Sequence, residues 1–317
     1  MSNLKNTFIL ATVVSTLSAC GLMDNSTTQN NSSEQNIETV IEANKVATFA
    51  RYVPERNDDF AWENDLVAFR AYGPFAREFA ENAGVDCWLK RVKTPIVNKW
   101  YKQALEQDMT YHKDWGEGLD NYHVGSSAGC GSSALWLNGK REPLETYTQW
   151  EILEQSPEKT RFVLSYKRVI ADVEYQEKKE IEIKLGQRVF KATSTFWKNG
   201  ELAINLPISV GLTTHDEAAI ANWDKLTGTV STWEEIEGSG LGTGVVLDPK
   251  RVDEYKLIPS LGQKDVGHVL AITKTDNKGQ VTYYAGYGWE KAKEITTFAQ
   301  WKQYLKAFYL EESGFKR

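Results

Sequence analysis

The chain reads as a mainly β protein, a large antiparallel β-sandwich with a few short helices and one helix closing the C-terminus. Three observations point there. Between Arg161 and Leu212 apolar and polar residues alternate with the period of half-buried strands. Turn dipeptides such as Asn199-Gly200 separate those runs closely enough to demand hairpins. Helical periodicity of any length appears only in the tail, where Phe298, Trp301, Leu305 and Phe308 share one face behind the Thr297/Gln300 capping pair.

Taken in order, the N-terminus opens with Lys5, an apolar run from Phe8 to Leu17 and then Leu17-Ser18-Ala19-Cys20. This has the layout of a secretory signal whose cleavage box ends on a cysteine, as in bacterial lipoproteins, so residues 1–19 are expected to be the signal peptide and Cys20 the lipidated first residue at the cell envelope. Residues 20–43, with the stretch NSTTQNNSSEQN, are too polar to bury a core and form a tether. No internal repeat or composition break divides residues 44–317, which are expected to be one domain. Without Cys20, the cysteines are Cys87 and Cys130; in an oxidising envelope they are expected to be linked, though two buried thiols fit the sequence as well.

From Arg51 the chain is dense in aromatic and charged residues, and Val67, Phe69 and Ala71 alternate with Leu66, Ala68 and Arg70 as a strand whose faces meet different surroundings. Thr94-Pro95 resembles an N-cap with proline at the first helical position, opening a short helix through Trp100 and Leu105. Beyond it, Ile181, Ile183 and Leu185 alternate with Glu182 and Lys184; Phe190, Ala192, Ser194 and Phe196 share a face; and strands follow over 244–247, 268–273 and 281–287.

The chemistry concentrates in YHKDWGEGLDNYHVGSSAGCGSSALW, residues 111–136. Glycines at 116, 118, 125, 129 and 131 exclude a regular helix there and permit close backbone approach, while His112, His123, Asp114, Glu117, Asp120, Tyr111 and Tyr122 supply titratable groups. A glycine-rich surface loop with self-satisfied histidines is the competing reading; the density of reactive groups favours function.

Several classes are excluded. A net charge of −6 with no lysine or arginine run lacks the footprint of a nucleic-acid binder. The histidines have no zinc spacing; calcium is conceivable through Asp58, Asp59, Glu63 and Asp65, but these form no EF-hand loop, so neither metal nor other cofactor is expected. Gly125-Ser126-Ser127-Ala128-Gly129 lacks the α/β surroundings of a nucleophile elbow, and Gly238-Ser239-Gly240-Leu241-Gly242 lacks the lysine and helix of a phosphate loop. What remains is a sandwich with 11 tryptophans and 14 tyrosines, several beside polar clusters: Trp62, Trp115 and Trp289. Aromatic faces rimmed by acids, amides and arginines suit a sugar ring.

The segments YVPERNDDFAWENDLVAFRAYGP, DNYHVGSSAGCGSSALW and YYAGYGWEKAKEITTFAQW resemble the oligosaccharide dehydratases of ulvan-degradation loci, a family long catalogued only as a domain of unknown function; the resemblance runs from about residue 50 to the end. The later segment QRVFKATSTFWKNGELAINLPISVGLTTHD resembles the galactose-mutarotase-like supersandwich. By order and local context Arg70, His123, His215 and Glu290 match the arginine, two histidines and glutamate of mutarotases, His123 least well because its surroundings differ.

The resemblance implies removal of water from the non-reducing-end uronic acid of an anionic oligosaccharide, uronate linked to sulfated rhamnose, leaving a 4,5-unsaturated uronyl residue. That chemistry needs a base, a proton for the departing hydroxyl and a cation at the carboxylate. His123 and His215 are expected to move protons with Tyr122 and Glu290 beside them; Arg51 or Arg70 is expected to bind the carboxylate, and Trp62, Asn64, Tyr72 and Trp289 to complete the pocket. A non-catalytic sugar-binding lipoprotein and a uronate epimerase or mutarotase are the competing readings.

Overall fold

A computed structural model describes residues 45–315, so the signal and tether expected over 1–43 lie outside the described residues. Three antiparallel sheets carry the chain. The N-terminal sheet has five strands in the order β1 (Phe49–Val53), β2 (Asp59–Glu63), β3 (Ala68–Ala71), β4 (Asp86–Lys90) and β5 (Gly118–Leu119). The largest has nine: β14 (Ile220–Asp224), β15 (Thr229–Ile236), β16 (Ser239–Leu247), β19 (Gln280–Trp289), β11 (Val189–Lys198), β10 (Val173–Lys184), β9 (Lys159–Ile170) and β8 (Gln149–Gln155) in that order, with β12 (Glu201–Leu202) paired to β11. A third sheet runs β17 (Glu254–Ile258), β18 (His268–Lys274), β13 (Pro207–Thr213), β6 (Ser132–Leu137) and β7 (Lys140–Glu142), and its β13 and β18 pack on β15 and β16.

The alternation read from the sequence is the burial pattern of the strands. On β11, Phe190, Ala192, Ser194 and Phe196 face the core, and on β10 Ile181 and Ile183 do. Leu185 lies past the end of β10 and is exposed. Asn199 and Gly200 both take positive φ, 50° and 81°, the pair that a type I′ hairpin turn requires between β11 and β12. The C-terminal helix α2 (Phe298–Glu311) is capped by Thr297, whose hydroxyl accepts from Gln300 N, and buries Trp301, Leu305 and Phe308 against β16.

The first helix differs from expectation. Helix α1 (Val97–Glu106) starts three residues after Thr94, which does not cap it. Its N-terminus is held instead by the buried carboxylate of Glu63, which accepts from Ile96 N and Val97 N at 2.9–3.0 Å while Lys90 Nζ neutralises it at 2.8 Å. Here a tertiary contact replaces the local cap.

Cys87 on β4 and Cys130 beside β6 form a disulfide, Cα–Cα 6.1 Å, that ties the N-terminal sheet to the glycine-rich loop. The Tyr287 hydroxyl adds a second tie, donating to Trp88 O and accepting from Ala68 N and Lys90 N. The disulfide ends the loop over 120–131 next to β13, where Thr213 N donates to Gly129 O.

Candidate active site

At the ends of β13 and β15 a cavity of about 250 Å³ is lined by Asn121, His123, His215, Glu234, Lys264 and Asp265 among others. Its two histidines meet partners of different kinds. His215 contacts Glu234 Oε2 from Nδ1 at 2.6 Å and donates from Nε2 to the carbonyl of His123 at 2.5 Å. A carbonyl can only accept, so Nε2 carries a proton, and the carboxylate on Nδ1 favours a second proton on the ring, the imidazolium form of His215. Burial works against that charge, but the Glu234 hydrogen bond and charge outweigh it and the His215 pKa is raised.

His123 is arranged the other way. Its Nδ1–H donates to Asp265 Oδ1 at 2.9 Å, and Nε2 accepts from Lys264 Nζ at 3.0 Å, which fixes the neutral tautomer with the lone pair on Nε2. At 39% exposure this ring reaches solvent, whereas His215 is 16% exposed. Tyr122 packs edge-on against the His215 ring at 4.7 Å, and its hydroxyl is buried without a well-formed hydrogen bond among the described residues. Burial, reinforced by the Glu234 charge, raises the Tyr122 pKa well above its ordinary value, so the phenol stays neutral.

Backbone geometry marks the same place. His215, Asp216 and Glu217 follow one another in the left-handed region at φ 44°, 60° and 69°, and Asp265 does so at 64°. Non-glycine residues held there cost energy and cluster where a structure needs a side chain aimed precisely enough to work. Gly125 is required for a different reason: at φ +56° a Cβ would lie 2.1 Å from Asp265 Oδ2, so only glycine lets the loop close on the carboxylate that orients His123.

The family model for a domain described as "Domain of unknown function (DUF4861)" matches residues 13–311. The chain belongs to the DUF4861 family. It is 35% identical over 273 residues to "Uncharacterized protein P7" of Formosa agariphila, covering 83% of this chain and 67% of that one. Among solved structures it is similar to an α-galactosidase from Lactobacillus brevis, at 11% identity and TM-score 0.37 over 82% of this chain and 42% of that one. A GH36 α-galactosidase from Geobacillus stearothermophilus aligns at 9% identity and TM-score 0.29 over 73% of this chain and 37% of that one. The chain thus spans less than half the length of either solved structure.

In this DUF4861 chain the residues expected at the site are scattered. Tyr122, His123 and His215 come together. Arg70 does not join them: it is 3% exposed and ringed by Asp86 at 2.6 Å, Asp120 at 3.1 Å and Asp59 at 3.7 Å, so it has no face for a substrate carboxylate. Arg51 also lies away from the histidine cavity, paired with Glu55 at 2.5 Å and lying over the Tyr101 ring. Trp62 and Trp289 are fully buried, Trp62 packing on Phe69 and Phe190, and neither offers a platform to a sugar. Asn64 bridges backbone, donating to Lys184 O and Gln187 O and accepting from Leu66 N and Val67 N. Tyr72 lies buried under Arg70, and the exposed Glu290 accepts from Gly240 N in a neighbouring cavity.

Sequence reading missed Glu234, Lys264 and Asp265. Glu234 sits on β15 within Thr232-Trp233-Glu234-Glu235, a run indistinguishable from any half-exposed strand. Lys264 and Asp265 lie in Leu261-Gly262-Gln263-Lys264-Asp265-Val266-Gly267, between β17 and β18, where two flanking glycines around a charged pair were the available signal.

The fourth histidine serves the scaffold. Buried His268 donates from Nδ1 to Val266 O and accepts at Nε2 from Ala128 N; burial drives its pKa down to about 3, and it remains neutral.

Proposed function

We propose that this chain is a carbohydrate-active hydro-lyase that removes water from a terminal uronic acid of an oligosaccharide, leaving a 4,5-unsaturated uronyl residue. The observation that carries the reading is the pairing of an exposed His123, its Nε2 facing Lys264 within 3.0 Å, with a His215 hydrogen-bonded at both ring nitrogens. The resemblance of the loop DNYHVGSSAGCGSSALW to the ulvan oligosaccharide dehydratases supports the substrate class.

On this reading Lys264 takes the place expected of Arg70 or Arg51. The substrate carboxylate draws the Lys264 ammonium away from His123 and so exposes the Nε2 lone pair at the moment of binding. The C5–H bond then breaks toward Nε2, its electrons form the C4=C5 double bond, and the C4–O bond breaks. His123, now protonated and still held by Asp265, returns that proton to the departing oxygen, which leaves as water. One group suffices as base and acid when proton and hydroxyl lie on the same face of the ring. The Lys264 and His215 charges stabilise the negative charge that builds on the carboxylate. His215, with both N–H groups engaged by Glu234 and the His123 carbonyl, positions His123 and supplies charge rather than a proton.

The test is absorbance of the unsaturated product from a saturated uronyl-terminated oligosaccharide. His123→Ala is expected to lose about a hundredfold or more in turnover with its fold retained. Absence of unsaturated product with the wild type, or near-native turnover by the folded variant, overturns the reading; inversion at C5 without new absorbance identifies an epimerase. The same reading places the protein at the bacterial envelope through Cys20, and Cys20→Ser is expected to move it from the membrane fraction to the soluble one; a serine variant that stays with the membrane refutes the anchor.

A further inference from the structure

Three cavities adjoin along one face. The histidine cavity shares Asp265 with a larger one of about 710 Å³ and Glu234 with another of about 420 Å³. The two flanks differ in their charged groups. The smaller carries Glu235 and Glu290 beside the His215-paired Glu234 in its wall and, among the described residues, no lysine or arginine. The larger carries Lys140, Arg141 and Arg168 against Glu142, Glu145 and Asp265, together with Trp136, a half-buried indole suited to a sugar face.

Not all of that positive charge is available. Arg168 is consumed by Glu145 at 3.1 Å, Glu142 at 3.7 Å and the carbonyl of Pro143. Arg141 is different: its guanidinium donates to the carbonyls of Ser126 and Ser127 and to Ser132 Oγ, and among the described residues it forms no ion pair. Those contacts hold the group rigidly while leaving Nε and part of Nη1 uncommitted, the state of an arginine prepared for an external anion. They also anchor it to the glycine-rich loop that carries His123, so the two are fixed relative to each other.

We infer that the saccharide runs in one direction only, from the histidine cavity across Asp265 into the cleft of Trp136, where Arg141 binds an anionic substituent, a sulfate ester or a carboxylate, on the part of the chain that does not react. The acidic cavity on the other side repels the same chain and leaves the reacting residue terminal. This deepens the proposed function and rests on it for the position of the reacting end.

Binding and turnover test the two separately. Affinity is measured by calorimetry for matched oligosaccharides that carry a sulfate ester, a carboxylate or neither beyond the terminal uronate. In Arg141→Gln the charged ligands are expected to lose about tenfold or more in affinity and the neutral one little, so that the preference for charge disappears. Trp136→Ala is expected to weaken tetrasaccharides more than disaccharides, and Glu235→Gln to leave the preference and the length dependence as they were. Which of the two charged ligands suffers in Arg141→Gln identifies the substituent. An Arg141→Gln protein that keeps the preference, or a Glu235→Gln protein that loses affinity for longer chains, overturns the direction. Should the wild type bind with this pattern and form no unsaturated product, the direction stands and the dehydratase reading fails; if no oligosaccharide binds, both fail.

Discussion

Replacing Glu234 with glutamine tests the charge state on which the site depends. The two side chains are 16% and 5% exposed, so solvent screens their interaction little, and the contact is 2.6 Å. Glutamine still accepts a hydrogen bond from His215 Nδ1 but carries no charge. A hydrogen bond to a charged group contributes about 1.5–3 kcal/mol and a neutral one about 1 kcal/mol. Losing that difference lowers the His215 pKa. Burial is the largest single influence on His215 and pushes downward, so without the carboxylate its pKa is expected to fall below the ordinary histidine value.

Two readouts follow from the direction of that shift. With Glu234 present the folded-state pKa is raised, so the contribution to stability is complete below the unfolded pKa of about 6.5 and is lost as pH rises through the folded value. In Glu234→Gln that loss disappears, and stability around His215 instead grows as pH rises. The alkaline limb of the activity profile moves to lower pH, with kcat falling more than KM rises. The assay is a proton NMR titration of the His215 ring beside thermal melts from pH 5 to 9. An unchanged His215 titration in a folded Glu234→Gln protein refutes the imidazolium assignment.

Arg70→Ala is expected to destabilise the fold by about 3–5 kcal/mol, because it strands Asp59, Asp86 and Asp120 in the interior, and a variant that melts like the wild type while binding substrate poorly restores Arg70 to the binding site. Burial, opposed by the Arg70 charge, raises the pKa of Asp59, Asp86 and Asp120, so the cluster's contribution to stability is complete below the ordinary carboxylate range and falls as pH climbs through the raised values; in Asp86→Asn melts, part of that fall is expected to vanish. Gly125→Ala is expected to displace Asp265 and lower kcat by up to about a hundredfold, with about 1–2 kcal/mol lost to the left-handed backbone, and a variant with native kcat shows that Asp265 does not orient His123.

What the sequence determined by itself is local. The alternation on β10 and β11, the Asn199-Gly200 turn and the Thr297 cap of α2 each arise from neighbours within a few residues, where backbone preference and side-chain period act directly. The same is true of the loop holding Tyr122 and His123, whose glycines and polar groups mark it without any knowledge of the fold. Everything that depends on a distant partner was decided by the tertiary structure. Lys264 meets His123 across 141 positions and the His123 carbonyl meets His215 across 92, so neither the neutral state of one ring nor the charge on the other is written near it. Arg70 and Trp62 look like ligands for a sugar acid because arginine and tryptophan often are; three carboxylates and three phenylalanines turn them into interior residues. Glu63 caps α1 from a strand more than thirty positions away, where the nearby Thr94 had the right side chain. The physical reason is common to all of them: burial and ion pairing are properties of which surfaces meet, and in a sandwich of long-range antiparallel strands the pairing of sheets, not the order of residues, decides which charges are met and which are left free to act.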